Sequence, residues 1–189
     1  MMGIRKSLHP VPRGGYKYYL PPGCYTLSLQ EKRRLCQFLK DIKVPDNYSS
    51  KISRRVQVKK CKLPGLKSHD WHVLMQQLLP VAVRGILPKE LTMILVELSN
   101  FYRQLCSKVL WVAELERLEH QIAVTLCKME MIFPPAFFDV MVHLPIHLAG
   151  EAKVTGHVPY RWMYFVERLA NINNCCIPSE KIISVIIDF

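Results

Sequence analysis

The chain is poorest in acidic residues where it is richest in basic ones. Residues 1–67 hold 16 Lys and Arg against three acids (Glu31, Asp41, Asp46), a net +13, while the other 122 residues carry 10 basic and 12 acidic side chains, a net −2. A field of one sign over a third of the chain favours a polyanionic partner, and nucleic acid is the usual one. The plainer alternative is a solubilising surface. Also missing is any window near the roughly 18 uninterrupted apolar residues that a spanning helix needs, so no membrane partner is expected. The opening MMGIRKSLHPVPRGG lacks the apolar core of a signal peptide, and Gly3 follows two methionines, which breaks the myristoylation pattern. Seven cysteines, at 24, 36, 61, 106, 127, 175 and 176, are odd in number and include no C-x-x-C. A disulfide framework and a paired-thiol zinc finger are therefore disfavoured, and a reducing compartment, nuclear or cytoplasmic rather than secreted, fits better. No G-x-S-x-G, phosphate-binding Walker loop or G-x-G-x-x-G occurs.

What is present is ample apolar material: half of the 189 residues are hydrophobic, enough for one domain or one and a half. Residues 1–27 are rich in Pro, Gly and Tyr, and YKYYLPPGCYTL reads as an extended or turn-filled arm because Pro21 and Pro22 remove donors and fix φ. In SLQEKRRLCQFLKDIK, Ser28 and Glu31 have capping-box spacing and Leu35, Phe38, Leu39 and Ile42 follow i, i+3, i+4, i+7, which predicts a helix over 29–43. Its other face is expected to carry Lys32, Arg33, Arg34, Lys40 and Lys43. SSKISRRVQVKKCKLPG then reads as a short strand or a basic loop.

From Ser68 the pattern is helical, with Val73, Leu74, Leu78 and Val81 on one stripe and Pro80 expected to kink or break it. Residues 89–132 contain neither Gly nor Pro. One helix of that length would span about 66 Å, so a break near 107–112 and an antiparallel pair are expected, with apolar sets Leu91, Ile94, Leu95, Leu98, Phe101, Tyr102, Leu105, Val109 and Leu115, Leu118, Ile122, Leu126, Met129, Ile132. AFFDVMVHLPIHLAG reads as a further helix with Pro145 inside it, YRWMYFVERLANI as a last amphipathic one, and CCIPSEKIISVIIDF as a β-prone tail. The expected fold is mainly α: an apolar helical bundle behind a basic, Pro/Tyr-rich, largely irregular arm. Its divisions are 1–67 (basic arm with one helix), 68–168 (helical core) and 169–189 (divergent tail).

Two histidine pairs invite a metal reading. His69 and His72 flank Asp70 at i, i+3 spacing with no third ligand nearby, and Ser68 or Asp70 is explained as a helix cap, so a helix start is favoured over a metal site. His143 and His147 stand at i, i+4 in HLPIH, but Pro145 lies between them and apolar neighbours surround both, so core or partly exposed histidines are favoured over ligands. No metal or other cofactor is expected. The basic third is the stronger functional candidate. Lys32, Arg33, Arg34, Arg54, Arg55, Lys59 and Lys60 lie close in sequence to Tyr16, Tyr18, Tyr19 and Tyr25, and mixed cations and aromatics suit phosphate contact with base stacking. A tyrosine arm packed across the helical core is the competing reading.

The strings MGIRKSLHPVP, YLPPGCYTLS, VPDNYSSKISRRV, GLKSHDWHVLMQQLLPVAVRGILP, FPPAFFDVMVHLPIHL and RWMYFVER, in this order, closely resemble the uncharacterised domain of plant transposase-related proteins of the CACTA, or En/Spm, class. The likeness runs from about residue 2 to residue 168. It implies a segment of a mobile-element protein whose catalytic core, in the family, is similar to an RNase H-type DDE nuclease acting on DNA with divalent metal. SHDWHVLM then resembles a helix start near such an active site, and Glu167 in RWMYFVER is the position to which the third acidic residue is carried over. Glu167 can instead pair with Arg161 or Arg168 on a helix surface. Family proteins carry the other acids upstream, whereas this chain starts at MGIRK, and the residues after Arg168 leave the family pattern. A lone carboxylate cannot hold two metals, so the expectation is a truncated, non-catalytic remnant that binds DNA through its basic third; divalent metal would belong only to a full-length relative. The alternative is a protein-interaction or structural fragment whose exposed apolar helices packed against a missing catalytic portion.

Overall fold

The computed structural model describes residues 9–19, 21–43, 52–138 and 140–156. The expected last amphipathic helix, Glu167 and the 169–189 tail lie outside the described residues. Within them the fold is mainly α. A two-stranded antiparallel ribbon, β1 (Val11–Pro12) with β2 (Tyr18–Tyr19), is followed by α1 (Leu29–Asp41), α2 (Ile52–Arg55), α3 (Ser68–Val73), α4 (Leu79–Ala82), α5 (Lys89–Leu105), α6 (Val112–Glu130), α7 (Val140–His143) and α8 (Pro145–Thr155).

The capping box forms at the start of α1. The Glu31 carboxylate accepts from the Ser28 backbone N–H at 2.8 Å, and the Ser28 hydroxyl oxygen accepts from the Glu31 N–H at 3.4 Å. Two amides that a helix start leaves unpaired are thereby satisfied. Leu35, Cys36 and Leu39 form the buried stripe. After the short α2, the chain makes a tight turn closed by Gln57 and Lys62, with Val56, Cys61 and Leu63 buried, Val58 half-buried against the core, and Gln57, Lys59, Lys60 and Lys62 exposed.

Pro80 does not break its helix. The chain runs from Ser68 to Ala82 without interruption, but Leu74–Leu78 form a π-helical turn in which the Leu79 N–H reaches back to the Leu74 carbonyl. Proline cannot donate to the carbonyl four residues before it, and its ring crowds that carbonyl; widening the preceding turn relieves both. One extra residue in a turn rotates everything after it by about 100° about the axis. Val81, expected on the buried stripe, is consequently 58% exposed, while Leu79, Ala82 and Val83 face inward.

The Gly- and Pro-free stretch divides as its length required. α5 and α6 lie antiparallel, joined by Glu97 in the middle of α5, which takes Lys128 Nζ at 2.7 Å and the Thr125 hydroxyl at 3.1 Å from the C-terminal part of α6, and nearer the turn by Arg117 on Gln104. All the expected inward residues of α5 are buried except Val109, which lies past the helix end and is 61% exposed. α8 packs on α6 through the small residues Ala149 and Ala152, and Lys153 pairs with Glu119 at 2.6 Å. Pro145 is not inside a helix but at the first position of α8, where its missing N–H costs nothing.

The buried cluster is continuous from Leu27 to Ala152, so α1 and the basic turn share one core with the helical pair. An aromatic column ties the N-terminal arm to the end of α6: Tyr25 stacks on Phe133 at 5.1 Å, and Phe133 on Phe137 at 4.4 Å. A Cβ on Gly23 would come against the hydroxyl end of the Tyr25 ring, too close for the ring to stay in place. Replacing Gly23 by Ala should therefore displace Tyr25 and lower the melting temperature by an amount matching about 0.5–1.5 kcal/mol of aromatic pairing. In thermal denaturation, Gly23→Ala should cost little more once Tyr25→Ala is present; full additivity would show that the glycine acts elsewhere.

Candidate nucleic-acid interface

Six of the seven cations singled out in the sequence are exposed: Arg33 and Arg34 on α1, Arg54 and Arg55 on α2, and Lys59 and Lys60 in the 57–62 turn. Lys32 is half-buried. It stands three and seven residues before Leu35 and Leu39, on the inner side of α1, and so does not share the outer face with Arg33 and Arg34. The three elements adjoin. α1 packs on α2, Cys36 of α1 meets Cys61 of the turn, and the Arg55 guanidinium passes 3.5 Å from where a Cβ on Gly65 would sit. Cys61 adopts φ 52°, a left-handed conformation uncommon outside glycine, which lets the turn close with Lys59 and Lys60 at its outer end. Burial pushes the Cys36 thiol up to about 11, with Cys61 adding to the effect, and burial likewise raises Cys106 to about 11. Neither thiol is a nucleophile at neutral pH.

Both carboxylates of this segment within the described residues are engaged locally. Glu31 serves the α1 cap, and its hydrogen bonds from Ser28 hold it below the usual carboxylate value, with a smaller contribution from Arg34. Asp41 accepts twice from the Gln37 amide, at 2.8 and 2.9 Å. Among the described residues, none of the six exposed cations forms an ion pair, whereas Arg117, Lys128 and Lys153 in the helical remainder pair with Glu114, Glu97 and Glu119. The unneutralised charge is thus concentrated on α1, α2 and the turn.

The tyrosines divide between the two readings. Tyr25 packs into the core, whereas Tyr16, Tyr18 and Tyr19 stand exposed on the ribbon. Arg13 and Lys17, on the same ribbon, were not singled out in the sequence. The signal for them was Gly14-Gly15 between Val-Pro and Tyr-Tyr, a pair of residues free to take positive φ in a hairpin turn.

Asp70 acts as a helix-start residue. It is buried, and one carboxylate oxygen accepts from the Lys67 N–H at 3.0 Å. His69 is exposed, and His143 and His147 are both exposed with rings 5.2 Å apart. Among the described residues, no three His, Cys, Asp or Glu side chains converge as a metal-ligand set. Burial lowers His72 to about 4, with nearby His69 acting in the same direction. Because an unfolded histidine takes its proton near 6.5, the unfolded chain binds more protons than the native one between about pH 6.5 and 4, and stability should fall as pH drops through that window. Melting temperature measured from pH 7 to 4.5 should decline less steeply in His72→Gln than in the native protein; parallel curves would show that His72 does not titrate this way.

The family model described as Domain of unknown function (DUF4218) matches residues 105–181, about two-fifths of the chain. It spans α6 to α8 and the position of Glu167, and none of the seven basic residues falls within it. No curated protein and no solved structure matches.

Proposed function

We propose that the chain is a transposon-derived, non-catalytic domain that holds the phosphate backbone of DNA through the exposed cations of α1, α2 and the 57–62 turn. One observation carries the reading: among the described residues these six exposed cations have no carboxylate partner, and they stand on adjoining elements of a segment of net +13, while in the remainder acids balance bases and Arg117, Lys128 and Lys153 are paired. Unpaired surface cations repel one another, and a bound phosphate chain relieves that repulsion while releasing condensed counterions. The mobile-element origin is supported by the resemblance of the strings along residues 2–168 to the CACTA class. Glu167 is then a vestigial acid, since one carboxylate cannot hold two metals. Binding to a duplex oligonucleotide, followed by fluorescence anisotropy, should weaken steeply as salt rises. Replacing Lys59 and Lys60 together by Ala should weaken it for any sequence and reduce the slope of log affinity against log salt by about 2. Absence of binding at low salt would sink the proposal.

A second reading, a protein-interaction segment, is favoured by the turn between α5 and α6. Val109, Trp111 and Val112 are there 61, 73 and 62% exposed, an apolar tip with no core to join. If that tip is an interaction surface, light scattering should show self-association at high concentration that Trp111→Ser abolishes; a monomer at every concentration counts against it.

A further inference from the structure

The geometry points to the β1–β2 ribbon as a stacking platform for unpaired bases, which makes single-stranded nucleic acid the favoured ligand. The inference rests on the nucleic-acid reading above and adds the strand form. Tyrosine ordinarily packs its ring against apolar neighbours, as Tyr25 does on Phe133 and the buried Tyr102 does beside Phe101. The ribbon does the reverse. Tyr16 is fully exposed at the turn, Tyr18 is 69% exposed and Tyr19 is 42% exposed. The turn that presents them is tight and defined: Gly14 and Gly15 take φ 88° and 61°, the Arg13 N–H donates to the Lys17 carbonyl at 2.8 Å, and Pro12 pairs with Tyr18.

Cations are built in beside the rings. The Arg13 guanidinium lies 4.8 Å from the centre of the Tyr19 ring, and Lys17 is exposed between Tyr16 and Tyr18. No acidic residue occurs before Glu31, so nothing on the ribbon opposes a phosphate. Successive ribbon residues point to opposite faces, so Tyr18 and Tyr19 present separate rings rather than one shared surface. Exposed rings flanked by cations match what an unpaired strand offers, a free base face every nucleotide and a phosphate beside it. Duplex bases are already stacked on each other and offer these rings no face.

The test measures anisotropy with three probes: a single-stranded thymidine oligonucleotide, its abasic counterpart with the same number of phosphates, and a duplex of the same length, each variant being compared with the native protein on the same probe. The native protein should bind the thymidine strand more tightly than the abasic one. Tyr16→Ala with Tyr18→Ala should weaken thymidine-strand binding at least about fivefold, leave abasic and duplex binding unchanged, and be rescued by Phe at both positions. Equal binding of thymidine and abasic strands, or a loss shared by all three probes, overturns the inference and leaves the phosphate-backbone reading standing. Failure to bind any probe overturns both. Tyrosine-dependent binding to phosphatidylserine vesicles, with oligonucleotide binding unaffected by the same variants, assigns the ribbon to a membrane surface and likewise overturns it.

Discussion

Apolar burial must hold a strongly positive segment to a neutral body, and the rest of the structure depends on it. The described carboxylates of the segment are committed to a helix cap and a glutamine, and its six exposed candidate cations pair with no carboxylate among the described residues, whereas its apolar side chains enter the common core. Leu35, Cys36 and Leu39 of α1, Ile52 of α2 and Cys61 and Leu63 of the turn all join the core cluster. Full burial of one such aliphatic side chain contributes about 1.5–3 kcal/mol, whereas repulsion between exposed charges is screened beyond about 8 Å at physiological salt. The apolar term therefore wins, and the cations can remain on the surface unneutralised. Were the segment attached by salt bridges instead, its charge would be spent internally and the candidate interface would not exist.

The helical remainder uses charge differently. Glu97 sits between Thr125 and Lys128, and Glu119 takes Lys153 from α8. These partly exposed contacts each contribute about 1 kcal/mol or less and chiefly fix the alignment of helices already held by Leu95, Leu98, Leu118 and Ile122. The same residue types thus have two roles in one chain, and which role a cation plays follows from whether a carboxylate is within reach.

Local chemistry was legible wherever it was short in range. Ser28 and Glu31 are three residues apart, and their mutual bonds depend on that spacing alone. The division of 89–132 into two helices followed from length and the want of a breaker, and the inward sets of α5 and α6 follow their period up to the helix ends. Pro80 and Pro145 were placed correctly as disturbances but not in their consequences. A proline states that one donor is missing, not whether the chain will widen a turn or begin a new helix there, because that choice is made by what the flanking residues can bury. Val81 is exposed rather than buried for this reason, whereas Val109 is exposed because α5 ends at Leu105, before its period reaches that residue. Lys32 adjoins Arg33 and Arg34 in sequence, but its phase on α1 puts it with Leu35, and it is half-buried.

By itself the sequence determined the helical character, the capping and the asymmetry of charge, since these depend on neighbours within one or two turns and on counting. Only the tertiary structure decided that Tyr25 would enter an aromatic column while Tyr16 and Tyr18 stayed in water, and that α1, α2 and the 57–62 turn would adjoin with Arg33, Arg34, Arg54, Arg55, Lys59 and Lys60 exposed. Those outcomes hinge on contacts between residues far apart in the chain, such as Tyr25 with Phe133 and Cys36 with Cys61, for which no local spacing carries a signal.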